Sequence, residues 1–388
     1  MFNSENKGGI WWMKRYFLIV GCIFFSIYAG LFAAEVKIGV CLPFTGEGRV
    51  NAEKTWDGIR LANELMPSVG DYKIVLIKGD DRTNPERSQG VTSLLIDEGA
   101  AVLIGYPWSS LAIAAALVAE NTQVPLLSTY STNPLTTKDK NYISRVCFID
   151  PFQGKVAANF AIKTLKVKNA VLIVDRSEPY CTGLATYFKE AFSELKGKIL
   201  ALFYFKRGDT ESTLKDIAQQ AAASNPNMIY LSAYYKELGI LVKELRKLGY
   251  KGALVSGDTG GNNDVFKYAG DSVDGLYFTD HFNVDAAETK SAKYFVIEFE
   301  KKYNDVPPTS SALGWDAYLV VYNAVKSCVS AGKKPTPENI NYYIRHTKNL
   351  EGATGNITIN PQTGNPVKPA VVNVWKDEKV KLYTVINS

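Results

Sequence analysis

Asp258-Thr259-Gly260 comes just after the apolar pair Leu254-Val255, which sets a lone carboxylate at the end of a strand. The tripeptide matches the Asp-Thr-Gly of aspartic proteases. That chemistry needs two carboxylates sharing one proton, and no second Asp-Thr-Gly or Asp-Ser-Gly occurs. A strand-end acid facing a cleft is the better account, and its use there is to balance a cation. Other strand-like runs end in a complementary set. Ser109-Ser110 opens a helix, where free backbone N–H groups and the helix dipole favour an anion, and Ser109 is expected to cap that helix. Ser131 and Thr132 add hydroxyls. Trp108, Tyr130, Tyr180 and Tyr234 offer apolar walls and, for a cation, π faces. This inventory suits a small molecule that carries both charges.

Catalytic alternatives are poorly supplied. Only His281 and His346 are present, so a His-rich metal site is excluded and a Ser–His triad is improbable. No HExxH, GxSxG, Walker loop or GxGxxG occurs. Asp80-Asp81 reads as a capped loop ahead of a helix starting at Asn84-Pro85-Glu86 rather than as a hard-cation site. Cys41, Cys147, Cys181 and Cys328 are widely spaced and form no CxxC pair. No metal or cofactor is expected.

These residues need a scaffold, and the chain alternates strand and helix from Glu35 onward. Strands are expected over 36–42, 72–77, 101–104 and 124–127, with helices over 52–65, from Asn84, and over 109–120. The order then begins again: strands over 170–174, 199–205, 228–231 and 253–255, with helices over 183–195, 210–223 and 236–248. Short, continuously apolar strands alternating with helices imply parallel sheets covered on both faces. Two similar α/β lobes fit better than one large sheet, since a chain of 388 residues exceeds what one core usually holds. Crossings between lobes are placed near Asp150-Pro151 and over 280–283; three helices and a β-rich tail from about Asn356 follow. In open α/β sheets ligands sit beyond the carboxyl ends of the strands, which is where the polar and aromatic candidates gather.

The first 33 residues read differently. Met13-Lys14-Arg15 precedes an uncharged apolar run over 16–34, a secretory leader with cleavage after Ala33. An uncleaved anchor is the alternative. Cys22 sits too early in the run for a lipoprotein box. Removal of residues 1–33 takes three basic residues and one acid, so the net charge of +5 becomes +3, too weak and too scattered for nucleic acid. The mature chain is expected outside the cytoplasm, in the periplasm or beyond the cell.

The sequence resembles the type I periplasmic binding proteins, most of all the branched-chain amino-acid (leucine/isoleucine/valine) group serving ABC importers. The resemblance spans 35–388 and rests on the order of several pieces: Val36-Lys37-Ile38-Gly39-Val40 with Phe44-Thr45-Gly46, Asp80-Asp81 with Asn84-Pro85, and Ile104-Gly105 with Ser109-Ser110. It continues through Ser131-Thr132-Asn133-Pro134-Leu135-Thr136, Tyr180 with Gly183, and Gly314-Trp315-Asp316-Ala317-Tyr318. It implies two doubly wound parallel-sheet lobes on a three-segment hinge, a Venus flytrap, with 34–150 and 281–355 in one lobe and 151–280 and 356–388 in the other. It further implies a monomer without catalysis that delivers a ligand to membrane permease subunits. Ser109 and Thr132 correspond to the family's carboxylate-binding residues, Tyr234 and Asp258 to its ammonium-binding ones, and Tyr180 to a tyrosine of the closing lobe. Trp108 and Tyr130 stand where smaller residues are common, and Thr83 and Trp108 occupy the positions of a disulfide found in other members. Arg49 is expected to be solvated rather than to reach the cleft. A ligand sensor for an amide, a urea-like compound or an aromatic carboxylate, and an exported hydrolase, are the alternatives.

Overall fold

The computed structural model describes residues 34–386, and the expected leader over 1–33 lies outside the described residues. β1 (Ala34–Leu42) is fully buried from Ile38 to its end, as an unbroken apolar run demands of a central parallel strand. With β2 (Ser68–Val69), β3 (Tyr72–Asp80), β4 (Val102–Gly105), β5 (Leu126–Ser128) and β6 (Ile143–Arg145) it forms a sheet of order β2-β3-β1-β4-β5-β6. All pairings are parallel except β2 with β3. Helices Arg49–Leu65 and Thr309–Ser330 pack on one face, and Pro85–Asp97 and Ser109–Thr122 on the other.

β7 (Asn169–Asp175), β8 (Lys198–Phe205), β9 (Met228–Ser232), β10 (Ala253–Ser256) and β11 (Leu276–Asp280) build the second parallel sheet. A small antiparallel set follows in the chain: β12 (Leu350–Gly352), β13 (Gly355–Ile359) and β14 (Pro366–Val367). Then β15 (Ala370–Lys376) and β16 (Lys379–Ile386) add antiparallel strands to the second sheet, giving the order β16-β15-β11-β10-β9-β7-β8. Both sheets are doubly wound, as expected. Strand order reverses between β1 and β4 in the first and between β7 and β9 in the second. Each reversal opens a crevice at the strands' carboxyl ends, and the two crevices face each other.

Two details differ from the sequence reading. β6 and the helix Asp150–Asn159 carry no clear period, since β6 is only Ile-Ser-Arg and the helix lies on the crossing itself. The last lobe boundary falls later than 356. Ile357 and Ile359 bury in the first lobe's core, and the chain enters the second sheet only at Ala370.

That last crossing is anchored by charge. Asp316, in the Gly-Trp-Asp-Ala-Tyr stretch, is buried; it accepts the backbone N–H groups of Ala353 (2.5 Å) and Thr354 (3.1 Å). Lys368 Nζ, also buried, lies 3.4 Å from its Oδ2. A buried ion pair is costly to break from one side because the remaining charge is stranded. Lys368→Met is therefore expected to destabilise the protein by about 3–5 kcal/mol, read as a lower urea midpoint; an unchanged midpoint would refute the anchor.

Candidate functional site

β4 ends at Gly105, whose φ of +121° lets the chain turn back over Cys41; a Cβ here would stand 2.2 Å from the Cys41 carbonyl oxygen. The turn brings Trp108 and Ser109 to the crevice. Trp108, extended (φ −89°, ψ 142°), takes the N-cap position itself without a side-chain cap bond. Ser109 is therefore the first helical residue and not the cap expected from sequence, and its hydroxyl turns to the neighbouring loop. It accepts from Ser131 Oγ (3.2 Å) and from the backbone N–H of Asn133 (3.4 Å). Ser128 and Thr129 donate to the carbonyls of Tyr106 and Gly105 at 3.1 and 3.0 Å, tying the two loops together.

Behind them lies Arg145, fully buried. Its guanidinium donates to the carbonyls of Ser131 and Asn133 (2.9 Å) and to Thr137 Oγ1 (3.1 Å). Burial pulls its pKa down, yet a guanidinium keeps its proton in proteins. A planar fork held by carbonyls thus fixes the 131–137 loop.

The second lobe supplies the acid. Asp258 Oδ1 accepts from Tyr180 OH at 2.5 Å, and Oδ2 lies 3.0 Å from His281 Nε2. Burial lowers the His281 pKa, so the ring is neutral. Its Nδ1 is buried with no hydrogen-bond partner among the described residues, which places the proton on Nε2, donating to Asp258. Phe148, from the first crossing, stacks on this imidazole (3.6 Å between centroids, 28°). Tyr130 OH, from the first lobe, donates to the Asp258 carbonyl (3.0 Å) and lies 3.3 Å from Asp280 Oδ1.

The lobes are closed on each other. Trp108 stacks on Tyr234 at 3.9 Å and 15°, and meets Tyr235 edge-on at 6.0 Å. Arg207 sits over the Trp108 ring (5.3 Å), 2.7 Å from Glu178 and 3.5 Å from Glu47 of the opposite lobe. Asn133 Nδ2 donates across the gap to the Pro179 carbonyl (2.8 Å). Between the closed lobes lies a narrow cavity of about 10 Å³, lined by Pro107, Trp108, Ser109, Tyr130, Tyr180, Tyr234, Tyr235, Asp258 and Thr259.

Six residues singled out in the sequence thus share one cavity: Trp108, Ser109, Tyr130, Tyr180, Tyr234 and Asp258. Ser110, Ser131 and Thr132 do not line it. Ser131 bonds Ser109 and Thr136 (2.7 Å), and the Thr132 hydroxyl is buried without a hydrogen-bond partner among the described residues. Ser110 is half-buried at the Glu178 side. Arg49 pairs with Glu53 on the exposed face of its helix (2.7 Å). His281, Tyr235 and Arg207 were missed. His281 had a signal, standing in the crossing at 280–283, and so did Tyr235, beside Tyr234 at a strand end; Arg207 had none. Asp80 and Asp81 receive the N–H groups of Arg82 and Thr83 (both 3.0 Å) and act as loop formers.

Two crossover-wound lobes, shut on a cavity at their strand ends, define the type I bilobed binding proteins. The chain belongs to the periplasmic binding protein family, whose model matches residues 35–379. A leucine-binding protein LivK of Thermotoga maritima superimposes with a TM-score of 0.86 at 36% identity, covering 91% of this chain and 99% of that one. The branched-chain amino-acid binding protein LivJ of Streptococcus pneumoniae, solved with isoleucine, gives 0.84 at 26% identity over 91% and 100%. Leu/Ile/Val-binding protein homolog 3 of Brucella melitensis is 24% identical over 358 residues, 91% of this chain and 95% of that protein.

Asp280 gives the site a pH signature. Burial pushes its carboxyl from 3.8 up to about 8. The folded state then holds a proton that the unfolded chain has released, so this group's contribution is full below pH 3.8 and is lost as pH rises toward 8. Asp280→Asn is expected to flatten that decline: relative to wild type it gains stability at pH 8 over pH 5 in urea titrations. Parallel curves for the two proteins would contradict the assignment.

Proposed function

We propose that this chain is the extracytoplasmic receptor of an ABC importer and that its interlobe cavity captures an amino acid as the zwitterion. One observation carries the reading: Asp258, and Ser109 at a helix N-terminus, bound the same interlobe cavity from opposite lobes. A carboxylate set against the first turn of Ser109–Thr122 meets a hydroxyl, unspent backbone N–H groups and the positive end of the dipole. An ammonium set against Asp258 meets a full charge with lone pairs to spare beyond those given to Tyr180 and His281. Trp108, Tyr130 and Tyr234 exclude water, which strengthens both interactions. The leucine- and isoleucine-binding relatives support the same class of ligand.

Capture is a two-state closure. The open cleft admits ligand, and the closed form gains the Trp108–Tyr234 stack and the Arg207 contacts together with ligand bonds from both lobes. The membrane permease reads the closed shape, and the receptor itself acts as a monomer with no chemical step. The apolar leader puts the mature protein in the periplasm or outside the cell.

Asp258→Asn tests the reading, because the amide keeps an acceptor for His281 and can donate to the Tyr180 oxygen while removing the charge. Calorimetry with branched-chain and other neutral amino acids is expected to show affinity lowered by on the order of 100-fold, or about 3 kcal/mol, with apo thermal unfolding little changed. Undiminished affinity would remove Asp258 from the ammonium site.

A further inference from the structure

The cavity does not end at the aromatic stack. Tyr130, Tyr235 and Asp258 line it and also line a second, larger interlobe chamber of about 420 Å³. The other walls of the small cavity are closed by the Trp108–Tyr234 stack and by Tyr180. A side chain too long for the head cavity can continue past Tyr130 and Tyr235, which the two spaces share.

The chamber's chemistry is uneven. Apart from the buried Asp258 and Asp280, its formal charges stand at the rim: Lys54 is committed to Asp305 at 2.7 Å, and Glu378 and Lys379 are exposed. The inner wall is neutral and amide-rich, with Asn51, Asn283 and Asn373 all buried. Asn283 Nδ2 donates to Asn373 Oδ1 (3.0 Å), which leaves acceptor capacity on that oxygen. Asn51 Oδ1 is approached by Thr55 Oγ1 (3.4 Å), and its amide nitrogen has no hydrogen-bond partner among the described residues. Phe282 and Trp375 supply flat apolar surface between these amides. Asp280 spends its oxygens on Tyr130, His281, Thr309 and Asn373, so it offers no free counter-charge.

Resting on the amino-acid reading above, we infer that the ligand is an α-amino acid with a long, uncharged side chain that carries its own hydrogen-bonding groups, and that this side chain occupies the amide-lined chamber. A charged tail would be desolvated against neutral amides, where Asp280 is already bonded by four donors and Asp258 faces the α-ammonium. A purely aliphatic tail would cover the Asn51 amide and the spare acceptor capacity of Asn373 and return nothing. An amide or ureido tail satisfies the asparagines and lies flat on Phe282 and Trp375.

The test is calorimetry of the mature chain with four probes: citrulline and Nε-acetyllysine, which have long uncharged tails, lysine, which has the same reach with a charge, and leucine. The inference expects citrulline or Nε-acetyllysine to bind at least on the order of tenfold tighter than both lysine and leucine. Asn51→Leu, and separately Ser310→Ala on the same wall, should shrink that ratio, with apo unfolding measured to confirm that each variant folds. Leucine or lysine binding as tightly as the uncharged long-tailed probes overturns the inference and leaves the amino-acid reading standing. No binding of any of the four overturns both.

Discussion

A carboxylate withdrawn from water must be met by donors, and the surroundings of Asp258 follow from that requirement. Tyr180 comes from the helix after β7, His281 from the second crossing and Tyr130 from the other lobe; all three converge on one residue. Phe148 from the first crossing then packs on the imidazole. The acid therefore knits two hinge segments and both lobes into one polar cluster. Any change in its bonding is felt where the chain crosses between the lobes.

Much of this was legible in the sequence because parallel strands advertise themselves. Short apolar runs bounded by Gly, Ser and Asp gave the two lobes, and the rule that ligands gather at strand ends drew Trp108, Ser109, Tyr130, Tyr180, Tyr234 and Asp258 into one place. Less legible were the residues that act from behind. Arg145 sits in a three-residue strand with no apolar pattern, yet it holds the 131–137 loop from within. Its pull on the Ser131 and Asn133 carbonyls accompanies a Thr132 hydroxyl that stands off the cavity wall. Tyr130 read as a wall, whereas its hydroxyl is a tie between the first lobe and the hinge.

The tail shows a different limit. A β-rich tail from about Asn356 was readable, but β propensity does not say which core a strand will join. Ile357 and Ile359 suit either lobe by composition. Partners far away in sequence decided the matter: Asp316 receives Ala353 and Thr354, and Arg345 donates to the carbonyls of Pro361 (2.8 Å) and Gln362 (3.0 Å).

The late return of the chain to its first lobe has a consequence for biosynthesis. The core around β1 includes Trp315, Val321, Ile344 and Ile359, and the second sheet gains β15 and β16 only after Ala370. A nascent polypeptide emerging from the ribosome thus holds neither body in finished form until nearly its whole length is made, so domain-by-domain maturation from the N-terminus is barred. Such a chain completes both bodies only at the very end of its synthesis.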